Sequence, residues 1–355
     1  MGVDLRHGGN REAVAARLNC KPSQLLDASA SLAPWSPRCS RVPLTAIRDY
    51  PDRGMTSLRQ VMASLHGLDP EAVLPGNGAA ELFTWAARDA AMAGVSGLLA
   101  PGFADYRRAL KCWNAPWIDV SLSLRWDHAG PLAHPPLQAP VAWICNPHNP
   151  TGQLWSRGSL ESLLSTHRLV ICDEAFLPLV PAGEQQSMIP LVEQHPNLVV
   201  IRSLTKLFGL AGLRVGYAIA QPDRLRRWSE WRDPWPVNGI AAAMTEQLLV
   251  PRGRYQRWCR RVQHWTSTEG GWMQRHLAGV PGLCPMPSSA NFLLVAGAGS
   301  LVPLREALEQ SHRILLRDCR SFQGLGESWL RIGLQTRSSN RRIIRALRRF
   351  QSTSV

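Results

Sequence analysis

Lysine is nearly missing from this chain: of 40 basic residues, all but Lys21, Lys111 and Lys206 are arginine. Acidic residues are also few, 26 against those 40, which leaves a formal net charge of +14. No apolar run reaches the roughly 18 residues of a membrane-spanning helix. The N-terminal MGVDLRHGGNREAVAARL has no apolar middle of the kind a signal peptide carries, so a soluble, cytoplasmic protein is expected. The eight cysteines, at 20, 39, 112, 145, 172, 259, 284 and 319, never fall at the short spacing a zinc site uses. Several sit inside apolar runs, as in VAWICN and LVICDEA, and read as small buried hydrophobes in a reducing compartment, with no metal expected. The arginines raise the question of nucleic acid, but they spread along the chain with local enrichment at DRLRRWSEWR, RYQRWCRR and NRRIIRALRRF. Those spacings resemble helix surfaces, and no aromatic-basic recognition module accompanies them, so neither nucleic acid nor membrane is the expected partner.

What is present is a broad mix, 45% hydrophobic over 355 residues, enough for one large domain and a smaller one. Residues 1–45 are irregular apart from a helical pattern at NREAVAARL, and read as an N-terminal arm with part of the small domain. Residues 46–240 alternate helix-like and strand-like segments. Apolar runs end in turns at LLAPGF, VAWICNPHNPTG, LVICDEAF and NLVVIRSLTK, so each chemically suggestive residue lies just past a strand end. In an open α/β sheet that edge is where ligands bind. Residues 241–355 carry long helix candidates, the strand-like ANFLLVAG, RILLRDC and WLRIGL, and a final helix NRRIIRALRRF, which reads as a smaller α+β domain.

Lys206 lies in RSLTKLFGLAGLRVGYA, residues 202–218. Its neighbours are Leu, Phe, Gly and Ala, so the amine sits against apolar surface, where its charge is costly and its pKa falls. A lysine becomes a nucleophile in this way. Asp173 ends the apolar run LVICD, and a carboxylate there either caps a helix or answers a cation. Asn149 stands between prolines in NPHNPTG, either as a turn residue or as a rigidly placed amide. Gly76-Asn77-Gly78-Ala79-Ala80-Glu81 precedes a helical pattern; its small residues would let backbone N–H groups close on a phosphate, although alone it reads as a helix start. One cofactor accounts for all of these. Pyridoxal 5'-phosphate needs an amine, an anion for its pyridine nitrogen, a donor to its ring oxygen and a phosphate cradle.

In this order, and over about residues 20 to 350, the motifs resemble the fold-type I pyridoxal-phosphate enzymes of the class I/II aminotransferase group. The resemblance implies a large domain with a mostly parallel central sheet flanked by helices, plus the smaller α+β domain. It implies Lys206 as the Schiff-base lysine and Ser203, Arg214 and Gly78-Ala79-Ala80 as phosphate ligands. Asp173 would face the pyridinium, Asn149 would reach the ring oxygen and Phe103 would stack on the ring. Where many relatives carry a tyrosine, this chain has Phe176, which has no hydroxyl to donate. Tyr50 of the YPD motif resembles the tyrosine that reaches the partner subunit's cofactor phosphate, which implies a homodimer with shared active sites.

Arg331, in WLRIGL, matches the family's carboxylate-binding arginine. The opening His7-Gly8-Gly9-Asn10 followed by LDASASLAP resembles the start of threonine-phosphate decarboxylases, relatives of histidinol-phosphate aminotransferases, and Arg337 is similar to a second arginine of that pocket. This resemblance implies decarboxylation of L-threonine O-3-phosphate to (R)-1-amino-2-propanol O-2-phosphate in cobalamin biosynthesis. The alternative is transamination of histidinol phosphate or another amino acid on the same scaffold.

Overall fold

The computed structural model describes residues 8–39 and 44–353, with side chains described as far as residue 350. The chain begins with α1 (Arg11–Arg17) and β1 (Leu26–Ala28), then α2 (Thr45–Arg48) and α3 (Thr56–His66). Alternation follows: β2 (Val73–Asn77), α4 (Ala79–Ala93), β3 (Ser96–Ala100), α5 (Ala104–Lys111), β4 (Trp117–Ser121), β5 (Pro131–Leu132) and β6 (Val141–Cys145). Next come β7 (Leu154–Trp155), α6 (Arg157–Thr166), β8 (Leu169–Asp173), β9 (Leu198–Ser203), α7 (Leu204–Phe208), β10 (Val215–Ile219) and α8 (Pro222–Trp231). The last part holds α9 (Gly239–Leu249), α10 (Arg252–Ala278), β11 (Leu283–Pro285), β12 (Phe292–Gly297), α11 (Val302–His312), β13 (Ile314–Asp318), β14 (Trp329–Gly333) and α12 (Arg337–Thr353).

Seven strands form one sheet in the order β2-β10-β9-β8-β6-β3-β4. Only β10 runs antiparallel to its neighbours; the rest are parallel. The central strands VAWIC and LVICD are buried at every position because helices cover both faces. Alternation still sorts them. Val141, Trp143 and Cys145 of β6 join the core beside α4 and α5, while Ala142 and Ile144 join the larger core on the other face.

The second sheet, β1-β13-β14-β12-β11, gathers strands from both ends of the chain. β1 pairs in parallel with β13, and the other pairings are antiparallel. Long α10 sends Val262, Trp265, Met273 and Leu277 into the core that it shares with β12 and β14. Among the described residues no helix is long and apolar enough to cross a membrane.

Candidate active site

The C-terminal edge of the seven-stranded sheet faces β13 and β14 across a cavity of about 390 Å³. Its floor begins at Lys206, in the first turn of α7 just past the end of β9. Desolvation pushes the lysine pKa down to about 8, helped by the charges of Arg331 and Arg214. The amine lies 5.6 Å from the centre of the Phe176 ring, which packs edge-on against Phe292.

Asp173 ends β8 and is buried; its Oδ1 accepts from the Ala175 backbone N–H at 3.0 Å and its Oδ2 from the Tyr106 hydroxyl at 2.6 Å. Burial pushes its pKa up to about 6, against those hydrogen bonds and Lys206, which pull it down. Asn149 accepts from Nη1 of Arg331 at 2.5 Å through its Oδ1, which leaves its amide N–H₂ as the end available to a ligand.

A cup of small and hydroxyl-bearing groups lies at one end. Antiparallel register places Val215 opposite Asn77, so Arg214, just before β10, meets Gly78 at the start of α4. Gly78 has φ +74, which favours glycine, and a Cβ there would stand 2.5 Å from Nη2 of Arg214 and displace that guanidinium. The Ser203 and Thr205 hydroxyls bond each other at 2.9 Å, and both line the cavity with Ala79 and Ala80. With a guanidinium, two hydroxyls and the unpaired N–H groups of a 15-residue helix, this cup suits a phosphate. Phe103, the residue capping α5, also lines the cavity.

The opposite wall comes from the second sheet and the segment after β1. Arg317 of β13 and Arg331 of β14 are directly opposed in register, and both are buried and line the cavity. Burial pushes the Arg331 pKa down to about 9, with the Arg317 charge adding to it. Arg331 donates to the Ser29 carbonyl at 3.0 Å, and Arg317 to the Ser321 hydroxyl at 2.7 Å. Gly8 lines the same wall, where any Cβ would collide with the Ser29 carbonyl, and the Gly9 N–H donates to Ser29 Oγ at 2.9 Å.

The structure thus brings Gly8, Ala79, Ala80, Phe103, Asn149, Asp173, Ser203, Lys206, Arg214 and Arg331 to one cavity, from segments more than three hundred residues apart, with Gly78 behind it against Arg214. Arg337 corrects the sequence expectation. It opens α12, pairs with Glu269 at 3.0 Å and covers the Trp272 ring, and it does not line the cavity. The six residues after Arg331 carry the chain out of β14 and into a helix, so the two side chains do not share a wall. Arg317 is the second arginine of this wall; its signal in the sequence is a cation inside the apolar run RILLRDC. Thr205 and Tyr106 are further additions, the first two residues from Ser203 and the second one helical turn from Phe103. Gly9 lies behind the wall. Tyr50 lies away from the cavity, 81% exposed and stacked on Trp235 at 4.5 Å. His7 falls outside the described residues.

The family described as Aminotransferase class I and II matches residues 45–347. The chain belongs to that family. A threonine-phosphate decarboxylase from Salmonella typhimurium is 32% identical, with 96% of this chain and 95% of that protein covered. A histidinol-phosphate aminotransferase from Xanthomonas oryzae pv. oryzae is 31% identical over 88% and 87%. Among solved structures, histidinol-phosphate aminotransferase from Sinorhizobium meliloti in complex with pyridoxal-5'-phosphate shares the fold at a TM-score of 0.80, 20% identity, and coverage of 98% and 95%. The class I and II aminotransferase chain described here is a pyridoxal-phosphate-dependent enzyme of the aminotransferase and decarboxylase superfamily, built on the fold-type I architecture. Its cavity holds the kinds of group the cofactor needs: an amine of lowered pKa, a buried carboxylate, an amide and a cup that suits a phosphate.

Proposed function

We propose that the enzyme decarboxylates L-threonine O-3-phosphate to (R)-1-amino-2-propanol O-2-phosphate and carbon dioxide, serving cobalamin biosynthesis. The observation that carries the reading is the cross-strand pair Arg317–Arg331. Two guanidinium groups directly opposed on one wall offer a dianionic ligand a paired grip. On this reading the pair takes the substrate phosphate in place of the carboxylate that the resemblance assigns to Arg331, which leaves the substrate carboxylate outside the grip. That arrangement favours its loss, because binding a carboxylate tightly in the ground state would oppose removal of its charge.

Pyridoxal phosphate, when bound, supplies a carbonyl for the substrate amine and a ring that accepts the electron pair left by carbon dioxide. Asp173 keeps a proton on the ring nitrogen. Asn149, oriented by Arg331, directs its N–H₂ to the ring oxygen. Ser203, Thr205, Arg214 and the turn at Gly78 hold the cofactor phosphate, and Phe103 covers the ring. Lys206, with a pKa near 8, is suited to deliver a proton to Cα at neutral pH. Gly8, Gly9 and Ser29 close the substrate end, with His7 beside them in sequence. The working unit is a homodimer in which Tyr50 reaches the partner's cofactor phosphate. The Salmonella typhimurium relative, aligned over 96% of this chain, supports the decarboxylase reading, while the histidinol-phosphate aminotransferase relatives support the aminotransferase alternative.

The test is incubation of cofactor-loaded enzyme with L-threonine O-3-phosphate without any 2-oxo acid. Sustained carbon dioxide release, lost in Lys206→Ala, is the expected result. No release, together with amino transfer from histidinol phosphate, would replace this reading with the aminotransferase.

A further inference from the structure

Tyr106 stands on α5 one turn beyond Phe103, and its hydroxyl donates to Asp173 Oδ2 at 2.6 Å, with both side chains buried. The phenol ring is held edge-on by Phe83 and Phe103, at 5.1 and 5.5 Å, and lies against Trp143 at 5.2 Å. Its helix is tied to the phosphate cup, because Arg108 donates to the Ala80 carbonyl at 2.8 Å while also binding Asp105 at 2.5 Å. Burial and the charge of Asp173 push the phenol pKa well above its ordinary value, so it stays protonated and only donates.

The other groups facing the carboxylate are few. Lys206 approaches from α7 and opposes its protonation, while Glu174, next in sequence, is itself paired with Arg202. The Cys145 thiol on β6 lies 4.0 Å from Oδ2, but it makes a closer contact of 3.3 Å with the Pro147 carbonyl and is a weak donor. Among the described residues Tyr106 therefore provides the shortest hydrogen bond to this carboxylate.

From this geometry we infer that Tyr106 is a positioning residue for Asp173, fixing the rotation of the carboxylate and keeping it ionised so that it meets the cofactor's ring nitrogen as a rigid anionic acceptor. The inference rests on the reading of Asp173 as the partner of that nitrogen. Each oxygen receives one short protein donor, from α5 and from the Ala175 backbone, and Asp173 lines the cavity with acceptor capacity left over. Removing the phenol oxygen leaves burial less opposed, so Asp173 takes up its proton at a higher pH.

Tyr106→Phe keeps the ring and its packing and deletes only that oxygen. Wild-type, Tyr106→Phe and Asp173→Asn proteins are loaded with pyridoxal phosphate carrying ¹⁵N in the ring, and the ¹⁵N shift is followed against pH. The affinity of each apoprotein for the cofactor is measured over the same range. The expected result is a protonated ring nitrogen in wild type, its loss in Asp173→Asn, and in Tyr106→Phe an acid limb of cofactor affinity moved upward by about one pH unit. An unmoved limb and unchanged affinity in Tyr106→Phe, with the ring proton lost in Asp173→Asn, overturn the role of Tyr106 alone. A ring proton retained in Asp173→Asn overturns the assignment of Asp173, and that of Tyr106 with it.

Discussion

Burial and two arginines release the Lys206 proton at about pH 8, well below the ordinary lysine value. Only the neutral amine attacks an aldehyde, so the rate at which apoprotein captures pyridoxal phosphate should rise through about pH 8 and level off above it; stopped-flow absorbance checks this. Asp173 has the opposite sign. Its folded pKa of about 6 lies above the unfolded value, so the stabilising contribution is full below the unfolded pKa and is lost as pH rises through 6. Asp173→Asn should therefore raise the melting temperature of the apoprotein at pH 7.5 while lowering its affinity for the cofactor, as calorimetry with and without pyridoxal phosphate would register. At the cup, Gly78→Ala places a Cβ against Arg214 at a positive φ, and cofactor affinity should fall about tenfold or more by equilibrium titration. On the opposite wall, Arg317→Met should raise KM for L-threonine O-3-phosphate by about 100-fold with cofactor affinity unchanged, since it removes a charged contact to the substrate alone.

At the level of strands and helices, the site depends on a second polar layer behind it. Arg202, the residue before Ser203, is fully buried and pairs with Glu174 at 2.7 Å and Glu184 at 2.8 Å. Glu174 follows Asp173 and also accepts from Ser187 and the Met188 N–H. The ends of β8 and β9, which carry Asp173 and Ser203, are thus clamped by their immediate neighbours. Glu174→Gln leaves the guanidinium short of a charge, and a loss of about 3 kcal/mol in urea unfolding is expected. The apolar runs ending in Asp173 and Ser203 were readable as strands because strands covered on both faces are continuously apolar. β2 and β10 are less legible: GNGAAE alone reads as a helix start, and its pairing with the antiparallel β10 brings Arg214 to it to form the cup.

Across the whole molecule, an exposed apolar group lies apart from the cavity: Leu44, Ile47, Tyr50 and Ile240 are 81%, 63%, 81% and 38% exposed. Exposed apolar residues gathered on one surface mark association sites, and the proposed homodimer would cover them. Ile47→Asp should shift the protein to monomer in sedimentation velocity and weaken cofactor binding, because Tyr50 would no longer reach the partner's site. The arginine excess finds its place on helix surfaces such as Arg341, Arg345 and Arg348 of α12, all exposed, while Ile343, Ile344 and Leu347 on the other face enter the core.

The sequence by itself determined the cofactor, because the motifs that hold Asp173, Asn149, Ser203, Lys206 and Arg214 carry the resemblance to the family. It also determined the class of fold, since alternating apolar runs and helical periods allow few other architectures. The pairings within the wall opposite Lys206 were decided only by tertiary structure. Arg317 and Arg331 become a pair through antiparallel register, Ser29 reaches them because β1 joins a sheet whose other strands lie near the opposite end of the chain, and Tyr106 finds Asp173 across a helix–sheet interface. Arg337, six residues from Arg331, is carried away by the change from strand to helix. Proximity along the chain is a guide only within one element, and side chains that meet across elements are brought together by packing.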